Sequence, residues 1–366
     1  MHVAEIDFRK DPRWEQFLVY CPDALIFHHP SWLEALEREY GTRCIGLACE
    51  DESGNLRGIL PLMATRGLPT NLGSHQLGPR LSSLPRTPLA GPLCVTDEAA
   101  ALLLQEAVRR ASEMGHRQLE LKVCGLNLDE LVPGMARTVW RLSYVYGLPK
   151  KPELVRFGNA RNHARIEWAI CKAKKHHVET RVANDEKDLR DWYPIYLYTL
   201  RFHAIPPRPY RFFKALWELM HERGLMRLWL VERREGNKTR LLAGSIILGL
   251  GQTSYYAFNG CRPGDFGLRP NDLLQWCAIH DACARGFRWY DLGEVPADNP
   301  NLAEFKRKWG ALPKPLYRYY YPAPAFHYRA VISRTQAGLS RHLARIWRHM
   351  PLRATSLLGD YIYSYL

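Results

Sequence analysis

The sequence predicts an α/β protein with mixed (α+β) sheets, in which one unit of helices and strands is used twice and a basic helical tail follows. Three observations predict it. Two distant stretches repeat the same order of amphipathic helix, glycine and paired apolar strands. A further helix, glycine and strand follow each of them, again in one order. The composition, 366 residues with 46% hydrophobic and 24% charged, is that of a globular chain long enough for two domains.

In the first copy, Ser31–Tyr40 has apolar residues at helical spacing and is closed by Gly41. Strand Cys44–Cys49, a polar turn at Gly54 and Asn55, and strand Gly58–Met63 come next. In the second copy, helix Phe212–Met220 is closed by Gly224. Strand Met226–Glu232, a turn at Gly236 and Asn237, and strand Ala243–Leu248 follow. Arg57–Leu60 corresponds in position to Ala243–Ile246. Helix Glu98–Glu113, Gly115 and strand Gln118–Val123 then match helix Asp272–Ala284, Gly286 and strand Arg288–Leu292. Leu119, Leu121 and Val123 alternate as a half-buried strand does. This order is wrong for a dinucleotide-binding domain, where strand and helix alternate from the start, and no GxGxxG, Walker A or GxSxG motif is present. It resembles the mixed sheet of acetyltransferases (the GNAT type), used in tandem.

Three stretches lie outside the repeat. Residues 64–96 hold five prolines, no acid, and Arg66, Arg80 and Arg86. They read as a long loop, either facing substrate or simply connecting. Residues 150–181 are rich in Lys and Arg, and within them 159–177 reads as a basic helix. Its cations form either a solvated face or a contact for phosphates, with Arg161 and Lys172 the candidates. Pro324–Gly359 has no acidic residue and mixes arginines with leucine, isoleucine and tryptophan. That pattern suits an amphipathic helix on an anionic membrane surface or one docked on its own domain.

The net charge of +14 favours a polyanionic partner. No run of 18 apolar residues suggests a transmembrane helix, and the N-terminus has neither the basic nor the apolar part of a signal peptide. The nine cysteines are scattered without CxxC, as in a cytoplasmic protein with reduced thiols, and no zinc or other metal site is expected.

Four blocks in the second half carry a closer likeness. Ser254–Gly260, Arg269–Trp276, Gly286–Gly293 and Phe305–Ala311, in that order and spacing, resemble the C-terminal half of Fem-type ligases and the FemAB-related N-acyltransferases. The resemblance covers about residues 155–322, whereas 25–125 match only in the order of elements. It implies tandem GNAT-like domains that pass an aminoacyl group from aminoacyl-tRNA, or in related members an acyl group from acyl-CoA, to an amine. In Fem-type ligases the amine belongs to a peptidoglycan precursor. A Phe-Lys pair contributes to the site, its lysine stabilising developing charge, and it falls on Phe305 and Lys306. A tyrosine after the central strand falls on Tyr255 or Tyr256. The coiled-coil arm of the larger ligases is missing, and the first half is too divergent for the residues that grip the muropeptide nucleotide to be carried over.

Such transfer needs no covalent nucleophile, because a positioned neutral amine attacks directly. The site must stabilise the oxyanion, which a lysine ammonium in a partly dry pocket does. Lys306 is the candidate, although a surface lysine on the short basic helix Glu304–Trp309 is the plainer reading. Asp291 or Glu294 could act as general base, and Tyr256 could bond the donor carbonyl or shuttle a proton. The loop with Gly264, Gly267 and Arg269, followed by Asn271 or Asp272 as helix cap, sits where the GNAT type places its pyrophosphate turn. It has only two glycines and reads equally as a plain connection. His203 ends a helix and is read as a cap. The aromatics at 193, 196, 212, 213 and 217 are read as core.

The expected organisation is a GNAT-like domain over 1–150, a second over 151–325 and a basic tail over 326–366. The expected function is N-acyl or aminoacyl transfer from acyl-CoA or aminoacyl-tRNA to an amine of a cell-envelope or polysaccharide precursor. The reactants would meet in a cleft between the units, with no tightly bound cofactor. The alternative is a non-catalytic scaffold binding a membrane surface or nucleic acid. The expected location is the cytoplasm, at the inner face of the membrane if the tail binds there. Oligomeric state is not legible.

Overall fold

Several helices begin where the sequence supplies a side-chain cap and a proline or acid in the first turn. Asp11 accepts a bond from Arg13 N–H at the start of α1 (Pro12–Tyr20), and Thr96 accepts from Ala99 N–H at the start of α3 (Asp97–Glu113). Between them, α2 (Pro30–Tyr40) ends at Gly41 in the left-handed conformation. The computed structural model describes residues 1–66, 79–116, 118–323 and 344–363. These fall into two compact units, Met1–Trp140 with Pro315–Ile346 and Gly359–Leu366, and Arg141–Lys314 with Trp347–Leu358.

In the first unit, strands β1 (His2–Glu5), β2 (Cys44–Glu50), β3 (Leu56–Thr65), β4 (Arg80–Ser82) and β6 (Leu119–Cys124) lie side by side in that order, and β5 (Leu93–Cys94) pairs with β3. All these pairs are antiparallel except β4 with β6, which is parallel. The sheet is completed by Leu316–Tyr321 of β13 (Leu312–Tyr321), antiparallel to β6. Leu103, Leu104 and Ala107 of α3 pack on Leu60, Leu62, Leu119 and Leu121 to form the core.

The second unit repeats the order. Here β8 (Val178–Val182), β9 (Met226–Glu235), β10 (Lys238–Leu250) and β11 (Thr253–Cys261) are antiparallel neighbours, and β12 (Trp289–Val295) pairs in parallel with β11. Its last strand is the Leu142–Gly147 part of β7 (Ala136–Gly147), antiparallel to β12. Helices α4 (Ala160–Lys175) and α7 (Pro270–Ala284) cover one face, where Ile166, Ile170, Leu274 and Ala278 meet Tyr290 and Leu292. Helices α5 (Glu186–Phe202) and α6 (Tyr210–Leu216) cover the other with Trp192, Tyr196, Phe212 and Phe213. Tyr193, Tyr196, Phe212 and Phe213 are core as expected, whereas Trp217 is half-buried and stacks on His221. A Cβ at Gly260 would lie 2.7 Å from Tyr196 N, so only glycine lets α5 approach β11 this closely.

The units divide the chain at 140/141 and 314/315 rather than at 150/151 and 325/326. The reason is that β7 and β13 each complete the sheet of the unit on the far side of the junction they span. Residues 80–94 are not a solvent-facing loop. They include β4 and β5, and Leu81, Leu84 and Ala90 are fully buried. The stretch 67–78 between them and β3 lies outside the described residues, as does 324–343 of the tail. The last helix, Leu352–Tyr363, lies near α5: Tyr193 Oη is 3.3 Å from Ser356 Oγ, and Arg201 donates to Met350 O at 2.9 Å.

Candidate active site

In the second unit, β11 and β12 pair at only three registers, ending at Tyr255 opposite Asp291. Beyond that point each strand carries a bulge. Ala257 is the extra residue between Tyr256, which pairs with Ile247, and Phe258, which pairs with Ile246. In β12, Leu292 and Gly293 together oppose Tyr144, and Gly293 has φ +85°. The strands then part. From there β11 continues on β10 and β12 continues on β7, leaving two facing edges that no described strand covers.

Lys306 occupies this gap. It belongs to α8 (Pro300–Lys308), capped by Asn299 and starting four residues before the expected Glu304. Ala303 and Trp309 anchor the helix in the core, and Phe305 packs against the same cluster. Lys306 is only 6% exposed, and its Nζ donates to Gly293 O at 2.8 Å and Glu294 O at 3.1 Å. A primary ammonium has three donors, so one N–H remains after these two bonds. Burial pushes the Lys306 ammonium down to about 8, opposed by the negative charges of Asp291 and Glu294.

Asp291 is 7% exposed and accepts from Ser143 Oγ at 2.6 Å and Gly293 N–H at 2.7 Å. Burial raises its pKa against these two bonds and the nearby lysines. Glu294 pairs instead with Arg141. Register puts Tyr255, Asp291 and Glu294 on one face of the sheet. Tyr256 lies on the opposite face, against the α7 core, with its hydroxyl by Ser245 and Gln275, and burial raises its pKa. The structure therefore brings Lys306 and Asp291 together, whereas only the backbone carbonyl of Tyr256 flanks Gly293.

The expected donor loop has a different form. Gly264 and Gly267 lie in a short 3-10 helix, Pro263–Leu268, and neither has positive φ. Its Asp265 is held by Arg240 at 2.8 and 3.0 Å. The cap of α7 is Arg269 in left-handed conformation, not Asn271 or Asp272, because Pro270 takes the first helical position. Asp272 is buried and paired with Lys308 at 2.6 Å. Arg269 and Lys172 instead converge on the exposed ring of Trp168, each 5.4 Å from its centroid. Arg161 lies two turns before Trp168 on the same helical stripe of α4 and is exposed. His203 is the C-cap of α5.

Sequence reasoning missed Ser143, Arg141 and Trp168. The β-branched and aromatic residues of 136–147 could have marked a strand, but not its partner, with Asp291 lying 148 positions from Ser143. Among the described residues, no group of three or more His, Cys, Asp or Glu could hold a metal ion, and no helix is long and apolar enough to cross a membrane. Among the described residues, no disulfide joins the nine cysteines.

A mixed sheet with one parallel strand pair and flanking helices, present in each of two units, is the arrangement of a GNAT-type acyltransferase fold. Residues 158–307 match the family described as acetyltransferase (GNAT) domain. Among solved structures, the chain is similar to FemX, with a TM-score of 0.66 and 15% identity over 92% of this chain and 100% of that one. It is also similar to L-PGS from Bacillus licheniformis, with a TM-score of 0.53 and 12% identity over 86% and 96%. A tandem GNAT protein from the clavulanic acid biosynthesis pathway aligns with a TM-score of 0.51 and 12% identity over 88% and 99%. At these identities the likeness is one of fold. No curated protein matches the chain.

Proposed function

We propose that this protein is an N-acyltransferase of the Fem type, moving an acyl or aminoacyl group from acyl-CoA or aminoacyl-tRNA to an amine of a cell-envelope or polysaccharide precursor. The observation that carries the reading is the buried Lys306 ammonium, held by two carbonyls where β11 and β12 part, with one N–H left over. The donor's carbonyl binds in the gap, and attack by the amine turns its oxygen into an oxyanion that the remaining N–H stabilises. Asp291, kept basic by burial, takes the proton lost by the attacking amine. Collapse of the tetrahedral centre breaks the bond to the thiolate or ribose oxygen, which leaves with a proton. Arg161, Lys172 and Arg269 hold the polyanionic part of the donor around Trp168.

The test is thermal stabilisation by acetyl-CoA, longer acyl-CoAs and charged tRNA, followed by transfer assays with whichever binds. A tRNA donor gives an affinity that falls steeply with salt and a footprint on α4. A coenzyme A donor protects 260–275 instead. Absence of binding by every donor would refute the reading.

A further inference from the structure

We propose that the second unit carries a binding site for a nitrogen heterocycle of nucleobase size, set between α4 and α7 and apart from Lys306. A cavity of about 350 Å³ opens there, at the lower end of the range that holds small molecules. Its walls come from three stretches. Helix α4 contributes His163 and Glu167, one turn apart, and α7 contributes Trp276 and His280, also one turn apart. The segment after the 3-10 turn Pro152–Leu154 closes the third side with Val155 and Phe157, which are 2% and 1% exposed. Neither Lys306 nor Asp291 lines the cavity, and Asp291 faces the side of the sheet away from α7. The site therefore stands or falls apart from acyl transfer.

Two imidazoles are locked in opposite tautomers. His280 Nδ1 lies 2.7 Å from Trp276 O, and a carbonyl only accepts, so the proton sits on Nδ1 and Nε2 keeps its lone pair. The ring of His280 also lies 3.9 Å from that of Trp276, which fixes its plane. No described residue bonds Nε2 of His280. His163 is arranged the other way. Its Nδ1 accepts from Phe157 N–H at 3.3 Å, so Nε2 carries the proton of the neutral ring. Glu167 Oε1, at 3.5 Å from that Nε2, lies beyond normal hydrogen-bond length. The cavity thus offers an acceptor from one helix and a donor from the other.

A ligand that matches both has an N–H donor beside an acceptor on one planar edge, as every nucleobase does. The aromatic and aliphatic walls suit the faces of such a ring. Charge argues against other classes. The exposed carboxylates of Glu153 and Glu167 oppose a phosphate or carboxylate inside. Arg156, and Lys174 with its ammonium 5.8 Å from the ring centroid of Trp276, oppose a free cation. A neutral polar ring is what remains, with any sugar or phosphate attached to it outside.

The experiment titrates the intact protein with adenosine, guanosine, cytidine and uridine by calorimetry, with ribose as control. Saturable binding of at least one nucleoside, and none of ribose, is expected. The counterpart of that nucleoside methylated on its donor nitrogen should bind roughly 5- to 10-fold more weakly, the loss of one hydrogen bond. His280→Phe keeps a ring against Trp276 and removes the acceptor, so a similar loss should follow. His163→Gln retains an acceptor for Phe157 N–H and a donor for the ligand, and should bind nearly as tightly as the unmodified protein. Burial and the neighbouring His163 hold the His280 imidazole below the ordinary 6.5, so its lone pair persists at neutral pH and is lost in acid. Affinity should accordingly be flat above about pH 7 and fall in acid. The same fall in His163→Gln would assign it to His280 rather than to His163. Should His280→Phe fail to fold, the methylated nucleosides and the pH profile test the same acceptor in the unmodified protein. Displacement of adenosine by acetyl-CoA would make the base of a donor the occupant, and simultaneous binding of the two would make it a separate nucleoside. Absence of saturable binding by all four nucleosides, or affinity indifferent to methylation of the donor nitrogen, would overturn the proposal.

Discussion

The ammonium of Lys306 lies 2.8 Å from the carbonyl oxygen of Gly293, the residue that the bulge in β12 adds at the point where β11 and β12 part. The lysine is thereby placed by backbone geometry rather than by an ion pair, and it keeps one donor in the gap. Replacing it tests the proposed chemistry directly. Lys306→Met preserves most of the volume and removes the charge. Turnover should fall roughly 10²–10³-fold, as when an oxyanion donor is removed. The unfolding temperature should move little, since burial of the charge is itself unfavourable. Near-normal turnover would leave Lys306 as a staple of the bulge only.

The same burial sets a pH dependence. With Lys306 held down to about 8, the charged form declines as pH rises through that value. The kcat profile should therefore fall on its alkaline side near pH 8. In Lys306→Arg the guanidinium stays charged, so that limb should move upward by more than a pH unit. A limb unmoved by the substitution would assign it to another group.

Ser143 is a positioning residue, reaching Asp291 at 2.6 Å from the strand that opens the second unit. Ser143→Ala should cost roughly 1–3 kcal/mol of stability and raise the Asp291 pKa further. The acidic limb of kcat/KM should shift to higher pH while KM for the donor changes less. Loss of stability with no shift in the limb would make the bond purely structural.

Gly293 has φ +85°, and a Cβ there would make ordinary contacts of 3.7 Å to Lys306 Nζ and Tyr256 O. The cost of Gly293→Ala is therefore conformational, roughly 1–2 kcal/mol. Relief of that strain would move both carbonyls that hold Lys306, so kcat should drop by more than the loss of stability explains. Urea unfolding and steady-state kinetics on one preparation separate the two effects.

In the first unit, His28 is buried and held neutral. Its Nε2 meets Gly91 O at 2.9 Å, and Nδ1 accepts from Leu25 N–H at 3.4 Å. Burial pushes its pKa down to about 4 from the usual 6.5. The unfolded chain then binds the extra proton first, so stability is complete above pH 6.5 and is lost as pH falls toward 4. The loss by pH 4 should be roughly 3 kcal/mol. His28→Gln should be less stable at pH 7 and show a flatter acid slope in urea titrations.

Local rules made much of the fold legible. Helix periodicity and glycine stops located α2, α3 and α7 to within two residues, and alternation located β2, β9 and β6. These signals are carried by neighbours in the chain, where sequence distance and spatial distance agree. The reading of Lys306 as a candidate also came from the sequence, through the resemblance of its block, and that of Asp291 or Glu294 from their place at the end of a predicted strand.

What only the tertiary structure decided was which strands share a sheet. The last partners of β6 and β12, β13 and β7, are remote from them in sequence, and with β7 come Ser143 and Arg141. Strand pairing is made by backbone groups common to all residues, so side-chain pattern marks a strand without naming its neighbour. Which of Tyr255 and Tyr256 shares the face of Asp291 had the same origin. A one-residue difference along a strand reverses the face, and only the register resolves it.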